Sequence, residues 1–345
     1  MSQTLGQTIV QGQAARRASS PLKHFLRGLA VSASVLFVGF SAVAQAQTFP
    51  TKPITVVVPS TAGSSIDTLM RAFGQEITRE TGQAVIVSNK PGAGTIVATQ
   101  AVASAAPDGY TVLVGSSTSH AINPHLFKKL PYDPIEDFEP VGMLARIPQL
   151  LFVNPVTVPA KSMEELVKFA KQQPPGKLTL VDSTSSVRML SVQLEQLSGM
   201  KLTTVGYKSF AEALPDLIAG RVDMAFGDVG FLQHVRDGKL RALGVTSIQR
   251  STFVPDLPTL DEGGVKGFDK TLWIALYVPA KTPAPVISRL HELFAKASGK
   301  PELQKAYASY GADVAITTPQ DLAKFQAAER ESWGRLAKSA GIEPQ

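Results

Sequence analysis

The sequence predicts a two-lobed α/β protein built on mostly parallel sheets. Short β-branched runs alternate with helical patterns over most of the chain, which is typical of strands joined by crossover helices. The alternation is broken twice, at Pro148 and in the Pro/Gly-rich stretch 255–267. We therefore expect the chain to cross between lobes at residues 145–149 and near 267–272. Such a topology leaves a cleft for a small ligand between the lobes.

The two crossings divide the chain into three expected parts. Lobe 1 is assembled from both ends of the chain, and lobe 2 is inserted in its middle. An N-terminal segment belongs to neither lobe. The expected boundaries are residues 1–46 for this segment, 47–147 with 271–345 for lobe 1, and 148–270 for lobe 2.

The first 46 residues have the composition of a secretory signal peptide. A basic stretch without Asp or Glu precedes an apolar run at 29–43, which is short for a membrane span, and a small-residue motif ending at Ala46. This order predicts cleavage after Ala46, with an uncleaved anchor as the alternative. Arg16 and Arg17 invite a twin-arginine interpretation, but the residues after them are not apolar, which favours the general secretory route.

Charge and cysteine content exclude several classes of protein. The N-terminal segment holds four of the 34 basic residues and none of the 28 acids, so the remaining 299 residues carry a net charge of +2 rather than +6. Basic tracts interleaved with aromatic residues are missing, so we expect no nucleic-acid partner. The chain has no cysteine, which excludes disulfides and a thiol nucleophile. We expect a protein of the bacterial periplasm.

Apolar patterning places the elements in order. Helices are clearest where apolar residues recur every three or four positions, at 210–218 and 287–294. The β-rich runs predict strands at 56–58, 85–87, 112–114, 150–153, 178–181, 222–226, 243–245 and 273–278.

The stretch 54–73 combines a buried strand, a polar loop and the start of an amphipathic helix. Pro59 ends the strand, and apolar residues recur at helical spacing from Ile66 onward. A loop that ends in free backbone N–H groups at a helix N-terminus is suited to binding a carboxylate. The alternative is that Ser64 or Ser65 only caps the helix. The candidate binding residues here are Ser60, Thr61, Ala62, Gly63, Ser64 and Ser65.

A second stretch echoes the first. Residues 181–187 resemble 58–66 with two residues dropped, and both follow a strand and precede a helical pattern. Either two hydroxyl-rich helix N-termini face each other across the cleft, or the short Ser-rich match is a coincidence.

Other chemistries have weaker signals. Gly92 and Gly94 lack the third glycine of a dinucleotide loop, so no nucleotide cofactor is expected. Ser119 and His120 are neighbours, but the nucleophile elbow of a hydrolase is missing. The other histidines show no metal-ligand spacing, so we expect no metal. They are His24, His125, His234 and His291.

A series of short motifs runs in order through the chain after the N-terminal segment. The motifs are FPTKPI at 49–54, NKPGAG at 89–94, APDGYT at 106–111, HAINP at 120–124, LPYDP at 130–134, YK at 207–208, GRVD at 220–223, GKLRAL at 238–243 and PDLPT at 255–259. Together they resemble the Bug-type periplasmic receptors of tripartite tricarboxylate transporters over nearly the whole chain after the signal peptide. The resemblance implies a Venus-flytrap periplasmic binding protein without catalysis, which holds a small organic carboxylate through backbone amides and hydroxyls of both lobes.

The resemblance adds site residues to those of the first loop. They lie in the stretches 116–120 and 182–186 and at the turn around Asp228. The candidates singled out there are Ser117, Ser119, His120, Ser183, Thr184, Ser185 and Asp228. Asp228 either caps the next helix or accepts a donor from the ligand. Serines and Thr61 stand where the family usually has proline, phenylalanine and glycine. This implies that more side-chain hydroxyls bind the ligand than in most of the family. Arg188 stands where a histidine is often found, and either clamps a ligand carboxylate or is an exposed helix residue.

The sequence thus predicts a receptor rather than an enzyme, and a monomer without cofactors. Its expected ligand is a dicarboxylate, a tricarboxylate or an aromatic carboxylate, and its expected partners are membrane transporter subunits. Two alternatives remain open: a ligand sensor for a signalling partner, and a periplasmic hydrolase using Ser119 and His120.

Overall fold

The computed structural model describes residues 49–344, so the predicted signal peptide lies outside the described residues. The strands are β1 (Ile54–Val58), β2 (Val85–Asn89), β3 (Thr111–Ser116), β4 (Phe138–Pro148), β5 (Leu150–Val153), β6 (Leu178–Asp182), β7 (Leu202–Gly206), β8 (Met224–Gly227), β9 (Arg241–Val245), β10 (Thr271–Pro279) and β11 (Asp313–Val314). The helices are α1 (Ser65–Thr81), α2 (Ile96–Ala103), α3 (Asn123–Leu126), α4 (Met163–Gln172), α5 (Ser185–Ser198), α6 (Phe210–Ile218), α7 (Leu232–Arg236), α8 (Ala284–Ser298), α9 (Pro301–Tyr310) and α10 (Pro319–Ser339).

The strands form two sheets. The first has the order β11-β4-β10-β3-β1-β2 and the second the order β7-β6-β8-β5-β9. The chain passes from the first sheet to the second between Pro148 and Leu150 and returns between Val245 and Thr271. The predicted two-lobed α/β architecture with two crossings is confirmed. We keep the predicted residue boundaries of the lobes as a proposal.

Both sheets are mixed, which corrects the expectation of mostly parallel sheets. Strand β1 pairs in parallel with β2 and β3, and β6 pairs in parallel with β7 and β8. The five other pairs are antiparallel and involve β4, β5, β9, β10 or β11. Strands β4 and β5 flank the first crossing, and β9 and β10 flank the second. Because the chain returns in the opposite direction, β10 pairs antiparallel with β4 and β9 with β5. Apolar patterning reports that a strand is buried but not its direction.

The two loops that echo each other in sequence hold equivalent places in the two lobes. Ser64 caps α1, and its hydroxyl accepts a hydrogen bond from the Asp67 N–H. Thr184 caps α5 in the same way, accepting from the Val187 N–H. Each loop therefore follows a strand at its carboxyl end and starts a helix, where free N–H groups collect.

Strand β4 is the longest strand that the sequence did not predict. It is 11 residues long and contains Pro140 and Gly142, which weaken a strand pattern. The pairing with β10 shifts register twice along its length. At Gly142 an added Cβ would lie 2.8 Å from the Thr317 carbonyl oxygen, so glycine permits a close backbone approach.

The lobes are joined on one side by backbone and core contacts. Gln149 and Thr246 exchange hydrogen bonds between the two crossing segments, with the Thr246 N–H donating to the Gln149 carbonyl at 2.9 Å. Trp273 of β10 and Trp333 of α10 both donate their indole N–H to Glu329. One hydrophobic cluster runs through both sheets and includes both tryptophans. No helix between residues 49 and 344 is long and apolar enough to cross a membrane.

Candidate functional site

A cavity of about 290 Å³ lies between the two sheets and is lined by residues of both lobes. Its polar wall consists mainly of hydroxyl groups near the carboxyl ends of strands and the starts of helices. The hydroxyl-bearing residues are Thr95, Ser116, Ser117, Thr118, Ser183, Thr184, Ser186, Ser209 and Tyr310. Gln149, in the first crossing segment, adds an amide. Such a wall can hold an anion through neutral donors.

Two of these hydroxyls bridge the lobes directly. Thr118 follows β3 in lobe 1, and Ser186 lies in the first turn of α5 in lobe 2. Their oxygen atoms are 2.6 Å apart, and both residues are buried. The structure is therefore closed around the cavity at this point.

Another part of the lining is apolar and rich in aromatic rings. Phe210 and Phe231 have ring centroids 4.0 Å apart, and both line the cavity together with Phe226 and Trp273. Aromatic rings give a flat, rigid contact surface for an apolar ligand body.

Two charged side chains line the cavity, Lys208 and Asp228. Lys208 is exposed at the edge. Asp228 follows β8 and caps the turn Val229–Phe231, accepting from the Gly230 N–H at 2.8 Å. Burial raises the pKa of the Asp228 carboxyl, and the Gly230 hydrogen bond only partly opposes this effect. Asp228 therefore caps this short turn rather than α7, and its side chain also borders the cavity.

The first loop lies beside the cavity, but its hydroxyls do not line it. Pro59 and Ile66 border the cavity, whereas none of Ser60, Thr61, Ala62, Gly63, Ser64 and Ser65 does. The hydroxyls of Ser60 and Ser64 lie 2.7 Å apart and bind each other. The serines that replace the usual family residues therefore hold the loop together in this structure.

Asp67 fixes the shape of this loop from within. Its carboxylate accepts hydrogen bonds from the Gly63 N–H at 2.8 Å, from Asn89 at 3.0 Å and from Arg71 at 3.0 Å. Burial raises the pKa of Asp67, but these hydrogen bonds outweigh that effect and hold it below its usual value. Hydrogen bonds within the protein therefore hold the loop in this conformation.

Ser119 and His120 lie in the core of lobe 1 rather than at the cavity. The Ser119 hydroxyl is 2.8 Å from Nδ1 of His120, whose ring stacks on Tyr277 with centroids 3.8 Å apart. Burial lowers the pKa of His120 to about 3. Its Nε2 has no hydrogen-bond partner within the described chain, so the pair lacks the acid of a catalytic triad. This geometry gives no support to the hydrolase alternative.

Arg188 and Ser185 line a neighbouring, more open hollow, which shares Ser183, Thr184 and Lys208 with the cavity. The Arg188 guanidinium pairs with the Asp182 carboxylate, Nε to Oδ2, at 2.7 Å. The structure does not bring Arg188 to the cavity. It does bring Ser117, Ser183, Thr184 and Asp228 there.

Some lining residues were not predicted, among them Gln149, Phe210, Phe231 and Trp273. Thr118 and Ser186 fall inside the predicted stretches 116–120 and 182–186, although neither was singled out, and their position at a strand or helix end was the signal for them. The aromatic lining residues gave no signal of a binding role in the sequence, because they resemble ordinary core residues. Within residues 49–344, no three His, Asp or Glu side chains come together as metal ligands.

Comparison with known proteins decides the family. Residues 69–342 match the model of the tripartite tricarboxylate transporter family receptor, TctC. The chain belongs to this family. BugT of Bordetella pertussis is a receptor-family relative that is 32% identical over 306 residues, covering 88% of this chain and 94% of BugT.

Solved structures of the family share the fold. R. palustris Rpa4515 with adipate superposes with a TM-score of 0.79 at 31% identity, covering 86% of this chain and 100% of Rpa4515. MatC from Rhodopseudomonas palustris with bound malate gives a TM-score of 0.74 at 30% identity, covering 84% and 99%. The periplasmic binding protein BugD gives 0.76 at 31% identity, covering 86% and 100%.

Proposed function

We propose that this protein is a monomeric periplasmic receptor that binds a small organic carboxylate between its lobes and delivers it to membrane subunits of a tripartite tricarboxylate-type transporter. The observation that carries the proposal is the interlobe cavity with a hydroxyl wall built by both lobes, which touch at Thr118 and Ser186. Family membership supports it, as do the adipate and malate bound by Rpa4515 and MatC. In this role the protein binds and releases its ligand without chemical change.

A thermal-shift screen of a carboxylate library tests the binding step. An acid present at 100 times its dissociation constant should raise the free energy of unfolding by about 2.7 kcal/mol, because it binds only the folded protein. Matched sugars and amines serve as controls. Stabilisation by these neutral or cationic compounds, and by none of the acids, would contradict the proposal.

An uptake assay tests the transport step. Deleting the gene should abolish high-affinity uptake of the labelled acid, and the full chain supplied in trans should restore it. Uptake unchanged by the deletion, with a lost transcriptional response to the acid, would instead favour the sensor alternative.

A further inference from the structure

Asp228 presents an unused acceptor to the cavity. It follows β8 at the centre of the lobe 2 sheet, and its Oδ1 accepts from the Gly230 N–H at 2.8 Å. Among the residues that the structure describes, no donor reaches Oδ2 and no basic side chain forms an ion pair with the carboxylate. A carboxylate oxygen that loses its water when a ligand fills the cavity needs a new donor, so a ligand that supplies a donor there binds more tightly.

Neither Tyr310 nor Lys208, which lie near Asp228, donates a hydrogen bond to its carboxylate. Tyr310 approaches from lobe 1, and burial together with the Asp228 charge raises the pKa of its phenol, which therefore stays protonated. Its hydroxyl forms no hydrogen bond with Asp228 in the described structure. Lys208 borders the same cavity but remains exposed and unpaired with the carboxylate.

The charges around the cavity favour a ligand with one negative charge. Lys208 and Asp228 are the two charged residues of the described lining and offset each other, so neutral donors alone hold a ligand carboxylate. These donors can hold one carboxylate, whereas a second would add another uncompensated negative charge beside Asp228. Removing an unpaired charge from water is strongly unfavourable. The aromatic wall of Phe210, Phe226, Phe231 and Trp273 meanwhile fits a flat apolar body.

We propose that the ligand is a monocarboxylate with a flat apolar body bearing one hydrogen-bond donor, and that Asp228 accepts that donor. The inference rests on the proposed function of the cavity as a carboxylate site. It makes Asp228 the residue that selects among carboxylates.

Calorimetry on the mature protein tests this selection with benzoate, 3-hydroxybenzoate, 4-hydroxybenzoate, benzene-1,4-dicarboxylate and adipate. One hydroxybenzoate should bind at least about tenfold more tightly than benzoate, because a hydrogen bond to a charged acceptor is a strong one. The two dicarboxylates should bind at least about tenfold more weakly than that hydroxybenzoate.

Asp228→Asn removes the charge but keeps an oxygen to accept from the Gly230 N–H, so the turn remains capped. In this variant the preference for the hydroxybenzoate over benzoate should shrink to within about threefold, and dicarboxylate binding should improve. Asp313→Asn is the matched control, because Asp313 is a partly buried carboxyl outside the cavity lining. It should leave the ranking of the five acids unchanged.

Three results would overturn the inference. These are a dicarboxylate that binds wild type more tightly than both hydroxybenzoates, binding of adipate alone, and an unchanged ranking in Asp228→Asn. In each of these cases the protein still binds a carboxylate, so the proposed function survives. Binding of none of these acids, with no hit in the wider carboxylate screen, would overturn both.

Discussion

His120 shows how a residue that looks catalytic in the sequence becomes structural in the fold. It is fully buried, stacks on Tyr277 and keeps a neutral imidazole, because burial lowers its pKa to about 3. Gly115 makes room for this pair, since an added Cβ would lie 2.6 Å from Tyr277 and 2.8 Å from His120. The motif around His120 therefore serves the packing of lobe 1.

This burial predicts a specific dependence of stability on pH. The unfolded chain binds a proton at His120 near pH 6.5, whereas the folded chain does so only near pH 3. The contribution of a neutral His120 to stability is therefore complete above pH 6.5 and falls as the pH drops towards 3. We expect its share of the free energy of unfolding to fall by about 2 kcal/mol between pH 7.5 and 5, as measured by urea denaturation.

Other groups also titrate in this range, so the comparison is made with His120→Gln, which removes the imidazole. The stability of this variant should decline less steeply with falling pH than that of wild type, whatever its absolute value. Parallel curves for the two proteins would show that His120 does not carry the effect.

At the scale of single elements, the loop before α1 can have one of two roles. It can bind the ligand directly, or it can support the site by holding its own conformation. Ser64 caps α1 and its hydroxyl contacts that of Ser60, and neither lines the cavity. Ser64→Ala should therefore lower the free energy of unfolding by about 1 kcal/mol, the usual cost of a lost N-cap. Affinity for the best acid should change less than about twofold, as measured by calorimetry.

Thr61→Ala is the control for this prediction, because Thr61 is exposed in the same loop and its hydroxyl makes no hydrogen bond within the described residues. It should change neither stability nor affinity appreciably. A large loss of affinity in both variants at unchanged stability would mean that the loop hydroxyls bind the ligand directly.

The elements show what the sequence could and could not predict. Strands such as β1, β3 and β5 were predictable because they are continuous buried β-branched or apolar runs. Strand β4 was not, because Pro140 and Gly142 disrupt its pattern, and β7 was not, because it is a largely exposed edge strand. Strand direction depends on the path of the chain between lobes, which local patterning does not encode.

The candidate site was likewise only partly predictable from the sequence. The sequence indicated which loops approach the cleft, because strand ends and helix starts are visible in it. Which side chain of a loop faces the cavity depends on caps and local hydrogen bonds, such as those of Ser60, Ser64 and Asp67. Arg188 illustrates the same limit, since it pairs with Asp182 and lines the neighbouring hollow instead of the cavity.

At the scale of the whole molecule, the contact between Thr118 and Ser186 links lobe closure to ligand affinity. The two oxygen atoms belong to different lobes, so opening must separate them. Thr118→Ala should weaken binding about threefold to tenfold, the effect of one neutral hydrogen bond. Faster ligand dissociation in stopped-flow measurements, and a larger radius of gyration at equal ligand concentration, should accompany the loss.

Ser191→Ala provides the control, because Ser191 is also buried and its hydroxyl donates within α5 to the Val187 carbonyl. This variant should lose some stability but keep the dissociation rate of wild type. Equal dissociation rates in wild type and Thr118→Ala would show that the contact does not hold the lobes together.

The shared carboxylate of Glu329 gives the molecule an internal optical reporter. The chain has two tryptophans, Trp273 and Trp333, and both indoles donate to this one group at the junction of the lobes. Trp273 also lines the cavity, so its emission should respond to an occupant and to movement of α10. With Trp333→Phe, a single emitter would follow capture and release in real time without any attached dye.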